Sequence, residues 1–180
     1  MCCVLCGYAQ QTIPQRVCNI IESKDIKECK TLMQEIKDSD VENMQDSTLF
    51  DYYYLAGWYN WEIKDYEQVI SFLVKAKETC ETKLGIENNA IKYFEILKAL
   101  GEACEELNKE DDALLWYEEG IVKGALYIFH ADDASLQSYF STIITNLANI
   151  YESRGAFDIA NYLRQLRNEK PLDYEGTYDY

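Results

Sequence analysis

Apolar residues recur along this chain at helical spacing, and β-branched residues never collect into alternating runs, so helices are expected throughout and strands are not. Ile13-Pro14 opens the first helix, with Val17, Ile20 and Ile21 as its stripe, and Ser23-Lys24-Asp25 breaks it. A second helix over Ile26 to Lys37 carries Ile26, Cys29, Leu32, Met33 and Ile36 on one face. The polar stretch Asp38–Asp46 reads as a loop. Asp46 or Ser47 then caps a helix bearing Leu49, Phe50, Tyr53, Ala56, Gly57 and Asn60.

A turn at Lys64-Asp65 leads to a helix from Tyr66 to about Leu84, with Val69, Ile70, Leu73, Ala76 and Cys80 inward; Gly85 and Asn88-Asn89 end it. The next pair covers about 90–107 and 110–127, turning at Asn108. Phe94, Leu97, Leu100, Gly101 and Cys104 line one helix, and Ala113, Leu114, Tyr117, Gly120 and Ile121 the other. His130–Asp133 forms a loop. The last pair covers about 134–153 and 157–168, with Arg154-Gly155 as its tight turn and Pro171 as its stop.

Small residues return at the same offsets in three of these pairs. Ala56-Gly57 precedes Tyr66, Val69, Leu73 and Ala76. Leu100-Gly101 precedes Cys104, Ala113, Tyr117 and Gly120. Leu147-Ala148 precedes Tyr151, Gly155, Phe157 and Ala160. Small residues let two helices approach closely, so Gly57, Gly101 and Ala148 are expected at the crossings of antiparallel pairs. A repeat of this size predicts a solenoid of helix pairs, and such arrays offer surfaces more often than catalytic centres.

These units resemble the tetratricopeptide repeat, whose pattern is Trp-x2-Leu-Gly-x2-Tyr, Ala-x3-Phe and Pro. The likeness covers roughly residues 13–170, with Leu100-Gly101-x2-Cys104 and Ala113-x3-Tyr117-x2-Gly120 as its clearest stretch. Residues 14–37 make a degenerate first unit, followed by units near 47–84, 90–127 and 134–168. The units are longer than the usual repeat, with the extra length after each second helix, as in the variant of kinesin light chains and bacterial peptide-sensing regulators. Tyr53, Leu97 and Ile144 stand where the family has Trp. The resemblance implies an all-α fold: a right-handed α-solenoid of about four antiparallel helix pairs. Polar Asp158, Asn161, Arg164, Gln165 and Asn168 on the last helix fit a terminal cap, so the array is expected to be complete.

Charge narrows the partners. The chain carries 17 Lys and Arg against 32 Asp and Glu, a net charge of −15, which disfavours polyanions such as nucleic acid. A basic or aromatic peptide or protein face is the better match. No apolar run is long enough to span a membrane. Seven cysteines, an odd number, with four inside helical patterns, suit a reducing, cytoplasmic setting. Cys3 and Cys6 have the spacing of half a zinc site, but no second half matches it, and lipidation of Cys2, Cys3 or Cys6 depends on a host the sequence does not name. Residues 1–12 read as an irregular Cys-rich start and 171–180 as a disordered acidic, Tyr-rich tail. No nucleophile–base pair, phosphate loop or metal-ligand helix is present, so neither enzyme activity nor a cofactor or metal is expected.

In the resembled family the first helix of each pair lines a concave groove. Carried over, the candidate partner-binding residues are Tyr54, Trp58, Trp61 and Glu62, then Lys98, Glu102 and Glu105, and Asn149. Aromatic side chains bury much area at small entropic cost, and carboxylates beside them favour Lys or Arg on a ligand. Trp58 and Trp61 have a second reading, as packing against the degenerate first unit. Glu102 beside Lys98 speaks against capture of a terminal carboxylate. An adaptor or scaffold that holds a peptide is the expected function; a peptide-sensing regulator and an obligate subunit of a larger complex are the alternatives.

Overall fold

A computed structural model describes residues 11–127 and 133–168. The Cys-rich start, His130, the residues from 169 on and the acidic tail lie outside these. Nine α-helices run among the described residues: α1 (Ile13–Ser23), α2 (Ile26–Glu35), α3 (Asp38–Glu42), α4 (Asp46–Glu62), α5 (Tyr66–Thr79), α6 (Ala90–Glu106), α7 (Glu110–Tyr127), α8 (Ala134–Ser153) and α9 (Phe157–Asn168). The fold is all-α, as expected, and the chain forms two compact units, Met1–Thr79 and Cys80–Tyr180.

Local chemistry sets most boundaries. Asp25 caps α2 by accepting from the backbone N–H groups of Lys27 at 2.9 Å and Glu28 at 3.1 Å. Asp133 caps α8 in the same way, with Ser135 at 2.8 Å and Leu136 at 3.1 Å. Lys24, Lys64, Asn108 and Gly155 take left-handed backbone, with φ of 56°, 61°, 57° and 77°. Each closes the short turn inside one helix pair, at the places the sequence marks as breaks.

Three boundaries depart from expectation. Part of the polar stretch 38–46 is helical, as α3, where Asp40 accepts from the Lys37 N–H at 3.0 Å and two acids favour the N-terminal turn. The residue before α4 is Gln45, without a side-chain cap, so neither Asp46 nor Ser47 plays that part. The helix expected to reach Leu84 changes at Thr79 into one π-helical turn, Cys80–Leu84.

In the first unit, α1, α2 and α5 all pack on α4. The core beneath α1 and α2 is Val17, Ile20, Cys29, Leu32 and Leu55. Arg16 of α1 ties to Glu28 at 2.7 Å and Glu35 at 2.5 Å, so the degenerate pair is fastened by charge as well as by its small core. Gly57 of α4 faces α5 so closely that a Cβ would lie 2.3 Å from Leu73 Cδ2.

The second unit stacks its pairs in solenoid fashion: α6 on α7, α8 on both, and α9 on α8. At Gly101 a Cβ would lie 2.2 Å from Tyr117 Cε1. At Gly120 it would lie 3.0 Å from Ile143 Cδ1, where α8 settles on the preceding pair. Ala148 is fully buried. Gly57, Gly101 and Gly120 mark close approaches between helices.

Candidate protein-binding faces

The expected site residues fall on α4, α6 and α8, in different surroundings. On α4, Tyr54 is only 7% exposed and belongs to the core of its unit. The helical register places Tyr54 off the apolar stripe, but α4 has neighbours on several sides and buries Phe50, Tyr52, Tyr54, Leu55 and Ala56 together. Trp58 is half-buried against the α1–α2 core, with the Lys24 ammonium 5.5 Å from its ring centroid. The packing reading of Trp58 is the one its contacts support. Trp61 is half-buried and meets Tyr66 edge-on, ring centroids 5.5 Å apart, which locks the α4–α5 turn. Glu62 is exposed at the last turn of α4.

In the second unit, Lys98, Glu102 and Glu105 share one side of α6. Lys98 Nζ donates to Glu102 Oε2 at 2.6 Å, one helical turn away. Tyr117 of α7 donates its hydroxyl proton to Glu105 Oε2 at 2.7 Å and accepts from Asn146 Nδ2 of α8 at 3.0 Å. This relay joins three helices through one fully buried ring. Asn149, also on α8, accepts from Arg164 of α9 at 3.3 Å, and Arg164 bonds Glu152 as well. Arg164, expected on the outer side of the last helix, is turned back onto its own pair.

Electrostatics follow from this crowding. Partial burial raises the Glu105 carboxyl above its ordinary range. Glu102, Glu110 and Glu106 push it further up, while the Tyr117 hydrogen bond pulls it down. Tyr117 itself is raised, first by burial and then by its bond to Glu105. Burial pushes the Cys29 thiol up to about 12 and the Cys80 thiol up to about 11, which leaves both unreactive.

Sequence reasoning misses Tyr93 on α6. It is fully buried, and its hydroxyl lies 2.6 Å from Glu81 Oε1 and 3.2 Å from Glu119 Oε1. One phenolic proton serves two carboxylates, and Lys123 stands 3.8 Å from Glu81. Apolar periodicity places Phe94 in the core but not its neighbour, because α6 is covered by both α7 and α8. Among the described residues, no group of acid, Cys and His side chains is arranged to hold a metal ion. Among the same residues, no helix is long and apolar enough to cross a membrane.

These features define a protein of stacked helix pairs with polar relays between them. No family model matches the chain, and no curated protein matches it. Among solved structures it is similar to the crystal structure of MamA, at 18% identity and a TM-score of 0.48, over 87% of this chain and 84% of that one.

Proposed function

We propose that the chain is a non-catalytic protein- or peptide-binding module of the long tetratricopeptide-like type, acting as an adaptor or scaffold. Its binding face is the α6–α8 side of the second unit, with Glu102, Glu105 and Asn149, and it prefers ligands bearing Lys or Arg. The observation that supports this is geometric: Lys98, Glu102 and Glu105 share one side of α6, and the Tyr117 hydroxyl fixes Glu105 at 2.7 Å. Beyond burial, three neighbouring carboxylates raise its proton affinity. A site that holds a proton more tightly for that reason also attracts a guanidinium or ammonium group. Tyr117, itself bonded by Asn146, holds Glu105 in place, which lowers the ordering cost of binding. Lys98 tempers Glu102 and gives the face one fixed cation, suited to an acceptor on the ligand backbone.

Trp61 and Glu62 are a separate aromatic and acidic edge in the first unit. Cys18, Cys29, Cys80 and Cys104 are not joined in disulfides, which suits a reducing, cytoplasmic setting. Titration of the isotopically labelled chain with a short arginine-rich peptide tests the reading. Amide signals of α6 and α8 should shift, and the shifts should be lost in Glu102→Gln/Glu105→Gln. Unmoved α6 signals would refute it.

A further inference from the structure

The outer side of α7 carries two of the most exposed large apolar side chains among the described residues, Leu115 at 61% and Val122 at 66%. They stand two helical turns apart on one ridge, a spacing of about 10 Å. The opposite side of α7 is occupied by α6 and α8. On one flank of the ridge run Asp111 and Glu118; on the other run Asp112 and Glu119.

Three of these four flanking carboxylates have partners outside α7. Tyr151 donates to Glu118 at 2.6 Å, Arg154 to Asp111 at 2.7 Å, and the Tyr93 hydroxyl lies 3.2 Å from Glu119. The nearby cations are already engaged, Arg154 by Glu110 and Asp111 and Lys123 by Glu81. An apolar stripe with a rim of one sign, held in position, has the anatomy of a protein interface.

We propose that this α7 ridge is a second docking surface, for an amphipathic helix of another protein that presents an apolar stripe flanked by Lys or Arg. A helix fits because the apolar positions are seven residues apart on a straight rod, the repeat that a partner helix reads. Charge selects the flanks. It also excludes a second copy of this chain, because a two-fold contact would set the same carboxylates against each other in a molecule of net charge −15. The ridge is distinct from the α6–α8 face, so either surface can fail without the other.

The test uses the full chain and a synthetic helix with Leu on one stripe and Lys on both flanks, alongside its isomer with Glu flanks, followed by fluorescence anisotropy. The Lys helix should bind. Leu115→Ser/Val122→Ser should weaken it about tenfold or more, with helix content checked by circular dichroism. Asp111→Asn/Asp112→Asn should weaken it about threefold and flatten its salt dependence. The part of the binding that the serine changes remove should persist in Glu102→Gln/Glu105→Gln. Equal affinity for the serine variant overturns the proposal, as does equal binding of the Glu isomer. Loss in the Glu102/Glu105 variant instead, which assigns the peptide to the α6–α8 face, also overturns it. So does self-association of the wild type, seen by sedimentation and abolished by the serine changes.

Discussion

The helix crossings at Gly57 and Gly101 solve one steric problem with different side chains. In the first unit the space opposite the glycine is filled by Leu73, a branched aliphatic chain on α5. In the second it is filled by Tyr117, a ring whose hydroxyl is held by Glu105 and Asn146. The first crossing is closed by an aliphatic side chain, which has no polar group to anchor it. The second is pinned at its far end to two other helices. A small residue in the repeat pattern therefore announces a close approach, while its opposite number decides whether that approach is only packing or also carries charge.

The largest expected difference comes from closing each gap. Gly101→Ala drives a Cβ into a pinned ring and should cost about 3 kcal/mol. Gly57→Ala meets a leucine that can move and should cost about 1 kcal/mol, after the helix preference of alanine offsets part of the clash. Urea denaturation of the two variants measures this, and equal losses would break the distinction between a free and a fixed filler.

Trp58→Ala should destabilise the first unit by about 2 kcal/mol, less than a fully buried Trp, because part of the side chain stays exposed. Lys24 loses its aromatic partner in the same variant. An unchanged midpoint would return Trp58 to the role of a ligand anchor. Tyr117→Phe keeps the ring and removes the hydroxyl, leaving Asn146 without this acceptor. A loss of about 1 kcal/mol is expected in the second unit.

The smallest effect is a pH dependence confined to the second crossing. The folded-state proton affinity of Glu105 is raised, so the stability linked to its protonation is fully present below the ordinary carboxylate range. It is lost as pH rises through the raised folded value. Thermal midpoints of Glu105→Gln should therefore gain on the wild type as pH rises above the ordinary carboxylate range. A constant gap across that rise would show that Glu105 titrates as it does in the unfolded chain.

Much of this architecture was legible from local signals. The αL turns at Lys24, Lys64, Asn108 and Gly155 fall where the helical pattern pauses. The spans of α7, α8 and α9 are those read from caps and periodicity. The short α3 was illegible because it has no apolar stripe; its support is a reciprocal contact between Lys37 and Asp40. The π-helical turn at Cys80–Leu84 was also illegible, since it keeps a helical periodicity over too few residues to be separated from α5.

The candidate site was legible in part. Lys98, Glu102 and Glu105 share a face because helix register alone puts them there. Tyr54 and Trp58 share a comparable register on α4, yet one lies in the core and the other is half-covered by α1 and α2. Register says which residues lie side by side on a rod. It does not say how many other rods lean on it.

The sequence by itself determined the helices, their turns and the small residues where pairs cross, because each depends on backbone preferences and side-chain size within a few residues. Only the tertiary structure decided which aromatic rings face water, which carboxylates find a tyrosine, and that Leu115 and Val122 of α7 are exposed among the described residues. Those outcomes depend on side chains brought together from distant parts of the chain, and burial is a property of the neighbours as much as of the residue.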